Sequence, residues 1–263
     1  MTVSNPTFLA DIIKTSRDMW SKGWAEANAG NISLRLAPET IKENSVFFRP
    51  SEWAPAPVAV PALGGEIFLI TGTGRYLRNI ELHPDKNVGV IELDHAGVAY
   101  RILWGYKPGG APTSELAAHL LVHEVRKLKS ENVERGVIHT HAPNLVALTN
   151  ALDLDTASLT RSLWQIHAEC ILAFPDGVEF IPWSLPGSEE LARATARALE
   201  RRRVAVGQFH GVLATGRNLD AAFGLIDTVE KAAAIYVRAV AAGGGEEQAL
   251  HRSAPAAGPA VRC

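Results

Sequence analysis

Cysteine, methionine and long apolar runs are scarce in this 263-residue chain, which holds only two cysteines and two methionines. The cysteines, Cys170 and Cys263, are too few for a disulfide framework, and the expected home is a reducing compartment. No stretch approaches the roughly 20 apolar residues that a membrane helix needs. The first ten residues lack a basic segment followed by an apolar one. The expectation is a cytoplasmic protein with no membrane partner. A surplus of one charge is missing too: 26 basic against 28 acidic residues leave −2. No basic field therefore invites nucleic acid. The one basic run, Arg201-Arg202-Arg203, ends a helical pattern and reads as a solvated terminus favoured by the helix dipole. No Gly-x-Gly-x-x-Gly opens a helix, which argues against a dinucleotide site.

What is present is ordinary globular material, with 47% hydrophobic and 21% charged residues. The length suits one large domain or two small ones. Helical spacing of Leu9, Ile12, Ile13, Met19 and Trp20 predicts a helix over 8–24. Alternation predicts a strand over 32–36, and 37–65 reads as an irregular, proline-rich excursion. Strands follow at 66–71, 88–93 and 99–104, the last two as a hairpin. A helix begins near 115, capped by Thr113 or Ser114, with Glu115 in its first turn. Helices are expected over 144–152, 159–167, 186–201 and 221–242. A strand and turn are expected over 168–177, and strands over 178–183 and 204–209. Alternating strands and helices with hairpin joins predict a mixed sheet between helical layers. Residues 1–242 are expected to form one domain, and 243–263, rich in Gly, Ala and Pro, a disordered tail.

Two turns contain chemistry-bearing groups. Asn28-Ala-Gly-Asn31 lies between a helix and a strand, and Gly72-Thr73-Gly74-Arg75 follows a strand. Asparagine and glycine tolerate left-handed backbone, so the first is explained by turn chemistry alone. It also reads as an anion cradle of backbone N–H groups, with the asparagine amides as extra donors.

Histidines supply the sharper signal. Residues 137–141, Val-Ile-His-Thr-His, read as a short strand before Ala142-Pro143. Side chains alternate in a strand, so His139 and His141 share a face and Thr140 takes the other. Two imidazoles so placed can close on one metal ion, and His210 is the first candidate for a third ligand. Three histidines around an ion with an open position make a catalytic arrangement. Two other readings stand beside it. The pair could merely form hydrogen bonds, and Glu115, His119 and His123, at four-residue intervals on one helix face, form a rival cluster.

Taken together in order, the motifs Asn28-Ala-Gly-Asn31-Ile-Ser, Thr71-Gly-Thr-Gly74, Pro112-Thr-Ser-Glu115, His139-Thr-His141 and Phe209-His-Gly211 resemble the class II aldolase/adducin family. The resemblance covers roughly 8–242. It implies a three-layer α/β/α sandwich around a mixed, largely antiparallel sheet, and a cyclic homotetramer with sites near subunit interfaces. It implies Zn²⁺ held by His139, His141 and His210, which leaves His119 and His123 as helix-packing or surface residues. The ketose phosphate would sit on Asn28, Gly30, Asn31, Thr73, Gly74 and Ser114. Ala29 replaces a glycine common in the family, and Thr73 a common serine, which are mild departures. Glu169 matches an acidic residue that reaches a neighbouring subunit's site.

The implied reaction is zinc-dependent retro-aldol cleavage of a phosphorylated ketose. Finer motifs, among them Phe174-Pro-Asp-Gly177 and Phe223-Gly-Leu-Ile-Asp-Thr228, point to L-rhamnulose 1-phosphate, giving dihydroxyacetone phosphate and L-lactaldehyde. L-Fuculose 1-phosphate cleavage and L-ribulose 5-phosphate epimerisation are the alternatives within the fold, and a binding domain lacking catalysis the alternative outside it. No Schiff-base lysine stands in the motifs, so the metal would be the electron sink for the enediolate. Glu115 is the expected proton-transfer group at that enediolate.

Overall fold

The structure, a computed structural model, describes residues 6–243. The tail expected over 243–263 lies, from residue 244 on, outside the described residues. Strands β1 (Asn31–Arg35), β2 (Ala54–Pro55), β3 (Ile67–Thr71), β4 (Val88–Leu93), β5 (Ala99–Gly105), β6 (Gly136–Thr140), β7 (Glu179–Ile181), β8 (Val204–Gly207) and β9 (Gly211–Gly216) form one sheet. Their order is β2-β5-β4-β3-β1-β6-β9-β8-β7. Every neighbouring pair is antiparallel except β7 and β8. The expected mixed, largely antiparallel sheet is borne out.

Helices cover both faces: α1 (Leu9–Ser21), α2 (Pro38–Asn44), α3 (Pro84–Asn87), α4 (Leu116–Lys129), α5 (Pro143–Ala151), α6 (Thr156–Ile166), α7 (Glu169–Ala173), α8 (Glu189–Ala198) and α9 (Leu219–Ala241). Strand alternation divides the interior into two cores. Ile32, Ile138, Val206 and Val212 face α1, α5 and α9, while Val137, Ala205 and Leu213 face α4 and α8. Full burial of each such valine, leucine or isoleucine side chain contributes about 1.5–3 kcal/mol.

Helix ends follow their capping chemistry. Asp155 and Ser158 form a reciprocal box at α6, while Ser188 and Asn218 cap α8 and α9. Pro143 opens α5, whose free Asn144 and Leu145 N–H groups are taken by the Glu230 carboxylate from α9.

Several sequence expectations need correction. Within 168–177, residues 169–173 form the short helix α7, not a strand: Cys170 and Phe174, four residues apart, are buried while Leu172 is exposed. A short apolar run does not distinguish the two periods by itself. The excursion 37–65 contains α2 and β2. α4 starts two residues later than a Thr113 cap and one later than a Ser114 cap would place it, and Glu115 stands at the N-cap rather than in the first turn. The arginine run is not merely solvated: Arg202 pairs with Glu179, and Arg203 donates to the Ala173 carbonyl.

Candidate active site

The site is assembled at one end of the central strands. β1 pairs with β3 and β6, so Asn31 at the start of β1 lies opposite His139 and beside the end of β3. Ile32 N–H donates to Thr71 Oγ1, Thr113 N–H to the Thr71 carbonyl, and Thr73 N–H to the Ala111 carbonyl. These bonds draw the 28–31 loop, the 72–74 turn and the 112–115 segment together. Gly30 adopts φ +80°, and a Cβ there would stand 3.3 Å from the His139 carbonyl oxygen. Only glycine meets both requirements cheaply.

His139 and His141 point to the same side, with ring centroids 5.3 Å apart, and His210 closes the group at 4.8 and 5.1 Å from them. One nitrogen from each of the three lies within 4.8 Å of the others. Orientation comes from partners behind the rings. His139 Nδ1–H donates to the Val212 carbonyl, and His141 Nδ1–H to Glu26 Oε1 at 2.6 Å. Both therefore turn Nε2 lone pairs to a common point, the donor arrangement of an imidazole metal centre. His210 sits on the turn between β8 and β9, where Phe209 is held at φ +59° and its N–H donates to Thr149 Oγ1. Burial lowers His139, against the raising influence of Glu115, and burial with His139 lowers His210 to about 4. Neutral imidazoles are what a metal ion needs.

Glu115 stands beside this group, its Oε2 3.7 Å from His139 Nε2 and 2.8 Å from Asn31 Nδ2. Burial raises its carboxyl, but His139, the Asn31 amide, His119 and His210 together hold it below the usual carboxylate range. It is an ionised base next to a metal-ready triad. The recess in front has Ser114, Glu115, His139 and His210 on its polar side and Ile181 and Leu191 on its apolar side.

The remaining residues divide. Asn28, Thr73, Gly74 and Ser114 lie on the converging loops. Asn31 is turned inward, one amide hydrogen used by Glu115 and its oxygen by His119. His119 and His123, expected as packing or surface residues, are both buried, with ring nitrogens bonded to Ser33. The rival cluster of Glu115, His119 and His123 is not the metal-ready group among the described residues. Glu169 is not brought to the triad of its own chain; with His167, Asp227 and Lys231 it lines a separate recess between α7 and α9. Sequence reading missed Glu26 and Ser33. Glu26 carried no local signal, because its partner is 115 positions away.

The family described as Class II Aldolase and Adducin N-terminal domain matches residues 10–237. The chain belongs to the class II aldolase/adducin family. In sequence, this class II aldolase is 42% identical over 243 residues to the rhamnulose-1-phosphate aldolase of Mannheimia succiniciproducens. That match covers 92% of the chain and 89% of the relative. The rhamnulose-1-phosphate aldolase of Pectobacterium carotovorum is 43% identical over 244 residues, with the same shares covered. Among solved structures, the sugar-phosphate aldolase from Thermotoga maritima has a TM-score of 0.77 at 30% identity, covering 89% of this chain and 95% of that one. An L-fuculose-1-phosphate aldolase from Thermus thermophilus shares the fold, with a TM-score of 0.60 at 23% identity over 96% of this chain and 98% of that one. Class II aldolases are metal-dependent, and among the described residues of this one the three-histidine group could hold the ion.

Proposed function

We propose that the protein cleaves L-rhamnulose 1-phosphate to dihydroxyacetone phosphate and L-lactaldehyde. The observation that carries this reading is the Glu115 carboxylate, 3.7 Å from the metal-facing nitrogen of His139. The likeness to rhamnulose-1-phosphate aldolases along nearly the whole chain supports the choice of sugar. His139, His141 and His210 would hold Zn²⁺, which fits an all-imidazole donor set. Bound there, the ion is a Lewis acid that draws electron density from the ketose carbonyl.

The chain's own groups do the rest. Asn28, Gly30, Asn31, Thr73, Gly74 and Ser114 receive the phosphate on backbone N–H groups, amides and hydroxyls, as an anion cradle requires. The C4 hydroxyl gives its proton to the ionised Glu115 carboxylate, the C3–C4 bond breaks, and its electrons pass to C3 as the aldehyde departs. Glu115 in its acid form returns a proton to C3, completing dihydroxyacetone phosphate. In the condensation direction, ionised Glu115 removes that same proton.

Residues 1–242 act as one domain, a reading supported by the continuous sheet. The assembly is a homotetramer in the cytoplasm, with Glu169 completing a neighbouring subunit's site. Exposed Leu172, Trp183, Leu185 and Phe209 offer apolar surface for such contacts.

The test is cleavage of L-rhamnulose 1-phosphate coupled to detection of dihydroxyacetone phosphate. L-Fuculose 1-phosphate runs beside it in the same assay, and L-ribulose 5-phosphate with its 4-epimer measured as the product, each with and without chelator. Preferred, chelator-sensitive cleavage of the rhamnulose ester is expected. Turnover of another ester would discard the sugar, and silence on all three would discard the aldolase reading.

A further inference from the structure

Behind Glu115 runs a buried line of polar side chains, of which the reaction above uses only Asn31. Asn31 Oδ1 lies 2.5 Å from His119 Nε2, Ser33 Oγ lies 2.6 Å from His119 Nδ1, and the same Oγ lies 2.7 Å from His123 Nε2. Asn31 and Ser33 come from the inner face of β1, and the histidines from successive turns of α4. The His123 ring packs against Phe68 at 5.0 Å, closing the far end. Ser33, His119 and His123 are all at most 1% exposed. Unpaired polar groups are costly in such a place, so each contact must join a donor to an acceptor.

Valence then fixes every proton. The Glu115 carboxylate only accepts, so Asn31 must present its NH₂ to Oε2 and its oxygen to His119. His119 Nε2 must therefore carry hydrogen. Burial drives His119 down to about 4, so the ring is neutral and its Nδ1 is a bare acceptor. The Ser33 hydroxyl donates to that nitrogen, which leaves Oγ to accept from His123 Nε2–H. All four bonds point one way, toward Glu115.

We infer that Ser33, His119 and His123 are positioning residues, forming with Asn31 a one-way hydrogen-bond chain that fixes the Glu115 carboxylate for proton transfer at the substrate. The chain works by excluding the wrong rotamer of an amide. Were His119 to present a bare Nε2, the Asn31 amide would flip and set its oxygen against the Glu115 carboxylate. The consequence for catalysis rests on the functional reading above; the proton positions do not.

Neutron diffraction from deuterium-exchanged crystals of the zinc-loaded protein at neutral pH reads the chain directly. Deuterons are expected on His123 Nε2, on Ser33 Oγ toward His119, and on His119 Nε2. A deuteron on His119 Nδ1 would overturn the inference. The second arm is kinetic. In His119→Leu, kcat should fall about 10–100-fold, as for loss of other supporting partners, with KM and zinc content unchanged. His119→Gln, which keeps a donor toward Asn31, should recover most of that loss. In a Glu115→Gln background, His119→Leu should cost nothing further. An equal loss in both backgrounds, or a loss confined to KM or zinc, would overturn it too. If the wild type cleaves no sugar phosphate, the functional reading fails and the deuteron positions still decide the chain.

Discussion

Glu115 Oε2 lies 3.7 Å from His139 Nε2, the nitrogen left free when Nδ1–H is tied to the Val212 carbonyl. A carboxylate at that distance from a metal-facing atom is near enough to exchange a proton with a bound substrate. It does not belong to the three-histidine donor set. Metal binding and proton transfer are therefore separable. Glu115→Gln should keep zinc at wild-type occupancy and lose about 10²–10⁴-fold in kcat, the usual worth of a general acid–base group. Metal analysis beside steady-state kinetics checks both halves. A fully active variant would remove Glu115 from its role.

Glu26 makes a different prediction. Its Oε1 accepts from His141 Nδ1–H at 2.6 Å and so sets which nitrogen faces the ion. The contact is partly solvated, which weakens it. Glu26→Ala should lower zinc affinity by about tenfold, at the low end for a partner behind a metal ligand. His139→Ala and His210→Ala should instead abolish stoichiometric zinc. Competitive titration against a chelator separates these cases, and full occupancy in either histidine variant would refute the ligand set.

The buried histidines of α4 should make the protein acid-sensitive. Burial lowers His119 from the ordinary 6.5 to about 4, against the raising influence of Glu115, with His139 lowering it further. His123 is lowered well below 6.5 by burial, with His119 and Arg35 adding to it. Between pH 6.5 and 4 the unfolded chain takes up a proton that folded His119 refuses. Stability then falls as pH drops through that window and is unaffected above it. The loss for His119 amounts to about 3 kcal/mol across the window. Denaturant unfolding of the metal-free protein should therefore be steeper in pH than that of His119→Gln. The difference should be one proton, or about 1.4 kcal/mol per pH unit. Parallel curves would count against it.

How much of this was legible in the sequence depended on whether the information was local. The His139 and His141 pair follows from strand alternation, and His210 from its position after a strand. Residues 32–36 alternate as a half-exposed strand would. Yet Ser33 and Arg35 are buried beneath α4, because β1 lies in the middle of a sheet covered on both faces. Polar residues there face other polar residues. No spacing rule pairs Ser33 with a histidine 86 or 90 positions away. The misread segment 169–173 has the same origin: its helical form shows in Cys170 and Phe174 packing inward, a tertiary fact.

Gly211 gives the last prediction, and its reason is space rather than backbone freedom. A Cβ there would sit 2.4 Å from the Thr140 carbonyl oxygen and 3.1 Å from His141 Cδ2. The nearer atom is backbone in β6, which pairs with β9 at Thr140↔Val212, so it cannot turn aside as a side chain would. Relief must come from moving the end of β9 away from β6. That displaces His210, one residue upstream, from His139 and His141 together. Gly211→Ala should cost about 1–3 kcal/mol of stability, the range for overpacking. It should weaken zinc binding more than that cost alone implies, because the triad is opened. Gly224→Ala is the control: nothing lies within 4 Å of a Cβ at that position in α9, so the added methyl meets open space. Wild-type zinc affinity in Gly211→Ala would mean that the turn between β8 and β9 yields without moving His210.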